Sequence, residues 1–192
     1  MMRYPIVRLQ VQTEPLKTGR APLRRYDPSA IESVHRIEVG PHGVVGLAER
    51  LGSVIDVHHT DHPRSRDRKG QGGVSIIGTG DYRRLRERYG DHLTEGMAGE
   101  TILIDAPGGL AGVDMPAEIT VVTADGPIIL TQVRVADPCV EFSRFCLGQE
   151  PSPVVDDAVR QALIDLDDGA RGYRGVATGF GVVGLTDCVE IG

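Results

Sequence analysis

The sequence predicts a mainly β domain: a β-barrel-like sheet with a few peripheral helices. Three observations carry that expectation. Short segments in which apolar and polar residues alternate recur along the chain, the mark of half-buried strands. Glycine and proline supply 25 and 12 of the 192 residues, a punctuation that suits short strands and turns better than long helices. The βαβα alternation of a doubly wound sheet is missing, with neither a G-x-G-x-x-G turn after a strand nor a P-loop.

Taken in order, "YPIVRLQVQT" sets Ile6, Arg8 and Gln10 on one face and Val7, Leu9 and Val11 on the other, a half-buried strand. Residues 14–30, rich in proline and basic side chains, read as an irregular loop. "SVHRIEV" and "SVIDVHH" are strands with "GPHGVVG" turning between them, and "HPRSRDRKGQGG" is a polar loop long enough to carry function. "GDYRRLRERYG" is a compact helix, with Asp81 as its cap, Tyr82, Leu85 and Tyr89 on one face and Gly90 at its end. "TILID", "AEITVVT" and "PIILTQVRV" are strands parted by "APGGLAGVDMP" and "ADG". A second helix is capped by Ser152, takes Pro153 in its first turn, and buries Val155, Ala158, Val159, Ala162, Leu163 and Leu166. "GYRGVA", "GFGVV" and "DCVEI" close the chain as short strands, giving eight or so strands in one domain over 1–192.

An apolar fraction of 40 % suffices for a sizeable core, built from Val, Ile, Leu and Ala because aromatics are scarce and Trp is absent. No apolar run reaches the roughly 18 residues of a membrane helix, and the N-terminus lacks a secretory pattern. Three cysteines without C-x-x-C spacing suit a reducing compartment, so a cytoplasmic protein without a membrane partner is expected. The net charge of −6 is unevenly spread. Arg64 to Arg88 hold eight basic and three acidic residues, a surplus of five that leaves −11 for the remainder. That window suits a solvated face or attraction of a small phosphorylated anion. Overall acidity and the lack of interleaved aromatics argue against nucleic acid.

The stretch "RVADPCVEFSRFC" holds Cys139 and Cys146. A free cysteine is often a small buried hydrophobe. Pro138 fixes its own φ and pushes Asp137 to extended backbone, so the preceding strand ends there and Cys139 sits at a strand end. Arg134 and Arg144 are near in sequence, and a cation or a helix N-terminus favours a thiolate. If 140–146 is helical, the two cysteine α-carbons lie about 10 Å apart, too far for a disulfide. Cys146 and Cys188 read as packing residues. In "HHTDH", a strand puts His58 and His62 on one face and His59 and Asp61 on the other. His58 and His62 are then candidate ligands for zinc or iron in lyase or hydrolase chemistry, beside a plain polar loop mouth with one functional histidine. "EGMAGET" and "GQGG" are either tight turns or backbone cradles for an anion.

The order of these pieces resembles the MOSC domain, the family named for the C-terminal domain of molybdenum cofactor sulfurases. The matching residues are Gly72 and Gly73 of an HGG-like loop; Gly96, Gly99 and Glu100 of a G-x-x-G-E turn; Arg134, Pro138 and Cys139; and Gly169, Arg171 and Gly172 of a late G-x-R-G. The likeness covers about residues 30–192, with the strand and loop of 1–30 packed on it. Gln71 stands where the family has histidine, and Thr101 where it has asparagine. The resemblance implies a barrel-like fold and a molybdenum pterin cofactor with Cys139 as metal ligand. It implies an oxidoreductase acting on small N-oxygenated compounds, served by a redox partner. The phosphate tail of that cofactor suits Arg66, Lys69, Arg134 and Arg171 with the glycine turns. The same resemblance admits a sulfur carrier with a persulfide on Cys139, received from a separate pyridoxal-dependent desulfurase. A third reading is a non-catalytic anion-binding barrel.

Overall fold

The computed structural model describes residues 1–48 and 52–192. The first strand, β1 (Met2–Gln12), is followed by a small ribbon, β2 (Lys17–Thr18) and β3 (Arg25–Tyr26), and a 3-10 turn at Pro28–Ala30. Then come β4 (Ile31–Val34), β5 (Arg36–Gly40), β6 (Gly43–Ala48), β7 (Gly52–Ile55) and β8 (Val74–Gly78). Helix α1 (Thr79–Tyr89) leads to β9 (Ile102–Ile104), β10 (Ile119–Thr123) and β11 (Gly126–Val135). Helices α2 (Val140–Leu147) and α3 (Asp157–Asp165) precede β12 (Tyr173–Ala177), β13 (Gly181–Gly184) and β14 (Cys188–Ile191).

Seven strands close into a barrel in the order β14-β10-β11-β12-β8-β9-β1, because β1 pairs with β14 through Met2–Pro5 and with β9 through Ile6–Leu9. The far end of β1 also carries β4. All these pairings are antiparallel except β8 with β9, whose parallel register requires α1 as the crossover. A second sheet, β13-β5-β6-β7, shares one apolar cluster with the barrel, including Val11, Ile37, Val39, Val44, Ile76, Val121, Leu130 and Val189. The mainly β, barrel-like architecture with peripheral helices is the one expected.

A bulge corrects the reading of β1. Its register shifts between Ile6 and Arg8, so Val7 stands out of the ladder and the alternation changes phase there. Ile6 is therefore buried along with Leu9 and Val11, while Val7 faces solvent. Other segments differ from expectation: "SVHRIEV" is split at His35 between β4 and β5 of different sheets, and the loop of 14–30 holds the β2–β3 ribbon. "GVVGLA" is β6 rather than part of a turn, and "VSIIG" is β8, a barrel strand.

The helices cover one side of the barrel. Tyr82 and Leu85 of α1, Phe142 and Cys146 of α2, and Leu166 just past α3 pack with Ile77 and Leu103 of the barrel wall. Burying a ring such as Phe142 contributes roughly 1.5–3 kcal/mol. Asp81 is not the cap of α1. Gly78 holds that position, and the Asp81 carboxylate accepts from Gly78 N at 3.1 Å and from Leu110 N and Ala111 N, stapling the helix start to the loop after β9. Burial pushes this carboxyl up against the pull of those hydrogen bonds. The second predicted helix starts later than Ser152. Ser152 Oγ accepts from Val154 N in a local turn, and Asp156 caps α3 by accepting from Val159 N at 2.8 Å. Val159, Ala162 and Leu166 are buried as expected, but Ala158 is exposed. "VEFSRFC" is the helical turn anticipated, now α2, and Cys146 is sealed in packing with its thiol pushed up to about 12 by burial.

Candidate functional site

The site forms where β11 ends. Cys139 has extended backbone and is the N-cap of α2, and its carbonyl accepts from Ser143 N at 2.9 Å and Ser143 Oγ at 3.0 Å. Its side chain is half-buried and lines a cavity of about 330 Å³. Cys146 and Cys188 are buried elsewhere, and Arg3 Nε donates to Cys188 Sγ at 2.7 Å.

Arg171 reaches the same wall from the turn before β12. Its flanking glycines, Gly169 and Gly172, have φ of +81° and +85°, and a Cβ on Gly172 would lie 2.3 Å from Ile76 O. The G-x-R-G spacing thus threads a tight turn against β8 and projects the arginine inward. Arg171 Nη1 donates to Cys139 Sγ at 3.4 Å and Asp137 O at 3.3 Å, and Nη2 to Ala98 O at 3.5 Å. The guanidinium lies 4.6 Å above the Phe142 ring. Burial works against its charge, but Cys139 and Tyr26 outweigh that and hold its pKa above the ordinary value.

Glu100 lines the cavity from the turn before β9 and is 3 % exposed. Its Oε2 accepts from Tyr82 Oη at 2.7 Å, while its Oε1 has no partner. Burial pushes this carboxyl up to about 7, against the hydrogen bond from Tyr82. Tyr82 Oη in turn accepts from Gly96 N and Ala98 N, both at 2.9 Å. Gly99 N donates to Gly96 O at 3.1 Å. The turn is clamped from β1 by Gln10 Nε2, which donates to Gly96 O at 2.8 Å, and by Gln12 Nε2, which donates to Gly99 O. These N–H groups are therefore satisfied within the protein. Gly99 reaches the cavity wall and Gly96 lies behind it.

The 70–73 loop also serves as a brace. Asp67 accepts from Gln71 N at 2.9 Å and Gly72 N at 2.7 Å, filling the nest that an anion would use. Arg174 donates through Nε and Nη2 to Gly72 O, and Arg134 Nη1 donates to Gln71 O. Gly73 is required for close approach: a Cβ there would sit 2.7 Å from Gly43 Cα. The carbonyls of Gln71 and Gly72 thus hold the arginines, and the arginines face the cavity. Burial lowers the Arg174 pKa from its ordinary value. Arg134 follows a bulge in β11, where the register shifts between Thr131 and Arg134 and Gln132 takes φ of 54°.

Of the basic loop, Arg66 lines the cavity and Lys69 does not. The histidines separate, which corrects their reading as a ligand pair. His62 Nδ1 accepts from Arg64 N at 3.0 Å and its Nε2 lies 3.2 Å from Thr13 O, so both ring nitrogens are spent. His58 lines the cavity with Nδ1 3.0 Å from Asp56 Oδ1. Among the described residues, no three His, Cys, Asp or Glu side chains converge on a metal position.

Lys17, Arg174 and Gln12 are among the cavity residues that escaped sequence reasoning. Lys17 comes from the segment read as irregular loop, and its Nζ is 3.4 Å from Glu141 Oε2. Arg174 is brought in by its register opposite Arg134. Gln12 arrives at the end of β1. No local motif marks any of them. Together Lys17, Arg66, Arg134, Arg171 and Arg174 face two acids, Glu100 and Asp137. The cavity of an acidic chain is therefore cationic, with one accessible thiol in its wall.

No family model matches the chain, and no curated protein matches it either. Solved structures do share its fold. YuaD from Bacillus subtilis superposes with a TM-score of 0.59 at 11 % identity, covering 99 % of this chain and 96 % of that one. YiiM from Escherichia coli gives 0.54 at 12 % identity over 100 % and 70 % of the two chains. YiiM from Geobacillus stearothermophilus gives 0.57 at 13 % identity over 98 % and 75 %. At these identities the likeness establishes the fold.

Proposed function

We propose that this MOSC-fold chain is a molybdenum-cofactor-binding protein, an oxidoreductase acting on small N-oxygenated compounds, with Cys139 as the protein's ligand to molybdenum. The observation that carries the reading is one half-exposed thiol in the wall of a cavity lined by five cations. The donor set fits. A metal whose other donors are the sulfurs of a bound pterin asks the protein for one soft ligand, so no cluster of side-chain ligands is needed. The phosphate tail asks for guanidinium and ammonium groups, supplied by Arg134 and Arg174, held by backbone carbonyls, and by Arg66 and Lys17. When bound, the cofactor would supply oxygen-atom-transfer chemistry, with the two electrons for each turnover coming from a redox partner. The chain's own residues bind and orient. Arg171 holds the Cys139 sulfur in place, Glu100 is a buried proton holder at the wall, and His58, steadied by Asp56, is a hydrogen-bonding group for substrate.

Metal and pterin analysis of protein purified from a cofactor-competent host tests this. Wild type should carry about one molybdenum per chain, and Cys139→Ala should lose it with an unchanged circular dichroism spectrum. Wild type without molybdenum and pterin sinks the reading; metal retained in Cys139→Ala sinks the ligand assignment. The Arg171 donor 3.4 Å from Sγ favours a second reading, in which Cys139 carries a persulfide received from a pyridoxal-dependent desulfurase. Mass spectrometry after incubation with such an enzyme and cysteine would then find one added sulfur on Cys139, and an unlabelled Cys139 rejects it.

A further inference from the structure

A second cavity, of about 290 Å³, lies between β3 and the C-terminal end of α2. It adjoins the first. Tyr26 lines both, Lys17 lines the first and Glu141 the second, and the Lys17–Glu141 ion pair at 3.4 Å stands between them. No part of the reading above uses this second space.

Its walls hold three arginines, Arg24, Arg25 and Arg144, and none of them is in an ion pair among the described residues. Arg144 is 5 % exposed. Its Nη1 donates to Gln149 Oε1 at 3.1 Å, and its Nη2 to Ser152 O at 3.4 Å and to Val154 O. All three acceptors are neutral. They fix the guanidinium plane without cancelling its charge, and a buried charge without a counter-charge is costly. Two acids share the lining. Glu141 is paired with Lys17 and also feels Arg24, and Glu150 is exposed, so two acids face three arginines and Lys17. The space is therefore short of negative charge.

Flat apolar surface lies beside this charge. The Phe145 ring is half-buried, 5.2 Å from Tyr26 and 5.9 Å from His92, which meets it edge-on. His92 Nε2 is 3.2 Å from Phe145 O, which steadies that imidazole at the rim. Guanidinium forks match the oxygens of a phosphate, and an aromatic face takes a planar heterocycle. We propose that this second cavity binds a nucleoside monophosphate, with the phosphate on Arg24, Arg25 and Arg144 and the base against Phe145.

Calorimetric titration of the full chain tests the proposal, with adenosine 5′-monophosphate, cytidine 5′-monophosphate, adenosine and inorganic phosphate as probes. At least one of the two nucleotides should bind with a submillimolar Kd, at least tenfold tighter than phosphate or adenosine. The double variant Arg24→Glu/Arg25→Glu, on side chains that pack no core, should weaken it at least tenfold at unchanged thermal stability. Phe145→Leu should weaken the nucleotide but not phosphate. Cys139→Ala and Arg66→Glu, in the first cavity, should bind as wild type does. Neither nucleotide binding overturns the proposal, as does binding indifferent to Arg24→Glu/Arg25→Glu or abolished by Arg66→Glu. Molybdenum content enters no arm, so this result and that of the cofactor test stand apart.

Discussion

Glu100 makes the folded state sensitive to pH in a direction opposite to that of an ordinary paired carboxylate. Its carboxyl is 3 % exposed, one oxygen has no partner, and burial moves its titration from the usual 4.5 to about 7. Below the lower value, folded and unfolded chains both bind the proton and the group is neutral in each. Between the two values the unfolded chain has released the proton and the folded chain keeps it. The unfolded state then binds fewer protons, and unfolding free energy falls as pH rises. At about 1.4 kcal/mol for each tenfold step, the loss accumulates to about 3 kcal/mol by the time pH passes the folded value of about 7. Urea denaturation of wild type and Glu100→Gln at intervals from pH 4.5 to 8.5 isolates this group, because every other titration is common to both. The stability of Glu100→Gln minus that of wild type should rise by about 3 kcal/mol across the range, most steeply between pH 5 and about 7. A difference that stays flat with pH would show that Glu100 ionises normally in the folded chain, and the account of its orphaned oxygen would be wrong.

Three further outcomes follow from the packing. Brief treatment of the native protein with iodoacetamide should place one adduct on Cys139, since Cys146 is 0 % and Cys188 7 % exposed; peptide mapping that finds the first adduct on either of those rejects the assignment of the accessible thiol. Gly73→Ala should cost about 1–3 kcal/mol, because its Cβ would meet Gly43 Cα at 2.7 Å, whereas Gly108→Ala, with nothing within 4 Å, should be close to neutral in thermal denaturation. Asp81→Asn should cost about 1–3 kcal/mol, since the carboxylate accepts from three backbone N–H groups and the amide keeps one acceptor oxygen; equal melting temperatures would show that the staple is dispensable.

Legibility in the sequence follows whether a residue's role is set locally. Strands β10, β11 and β14 were readable because apolar runs bounded by turn residues marked them. Strand β8 was not, because "VSIIG" is short, nearly buried throughout, and caught between a glycine loop and a strong helix pattern. Strand β6 was hidden by its glycines, which read as a turn. In the fold they permit close approach: a Cβ on Gly46 would touch Val11 and Val34 at 3.1–3.2 Å. The phase change in β1 depends on a bulge that no pattern announces. In the site, Cys139 and Arg171 were readable from spacing and motif order because each sits in its own turn. Lys17, Arg174 and Gln12 reach the cavity through a loop path, a cross-strand register and the end of a long strand. The histidine run misled for the opposite reason. It is conspicuous locally, but backbone contacts to Thr13 and Arg64 consume His62.

The way the cavity's cations are held decides what it can select. Arg134 and Arg174 donate to the carbonyls of Gln71 and Gly72, and Arg171 to those of Asp137 and Ala98 as well as to the Cys139 sulfur. A carboxylate in any of these places would orient the guanidinium equally well but cancel its field. A backbone carbonyl orients it and leaves the charge in force. Lys17 is the exception, paired with Glu141, and Arg66 has no side-chain acceptor among the described residues. Of the three carbonyl-held arginines, Arg174 is the one whose charge burial disfavours even with Asp67 and Asp56 near it, and an incoming anion relieves that cost without further reorganisation. The glycine turns contribute by the same logic. Asp67 and Tyr82 already occupy the N–H groups of Gln71, Gly72, Gly96 and Ala98; the turns set the carbonyls, the carbonyls set the arginines, and the arginines present the charge.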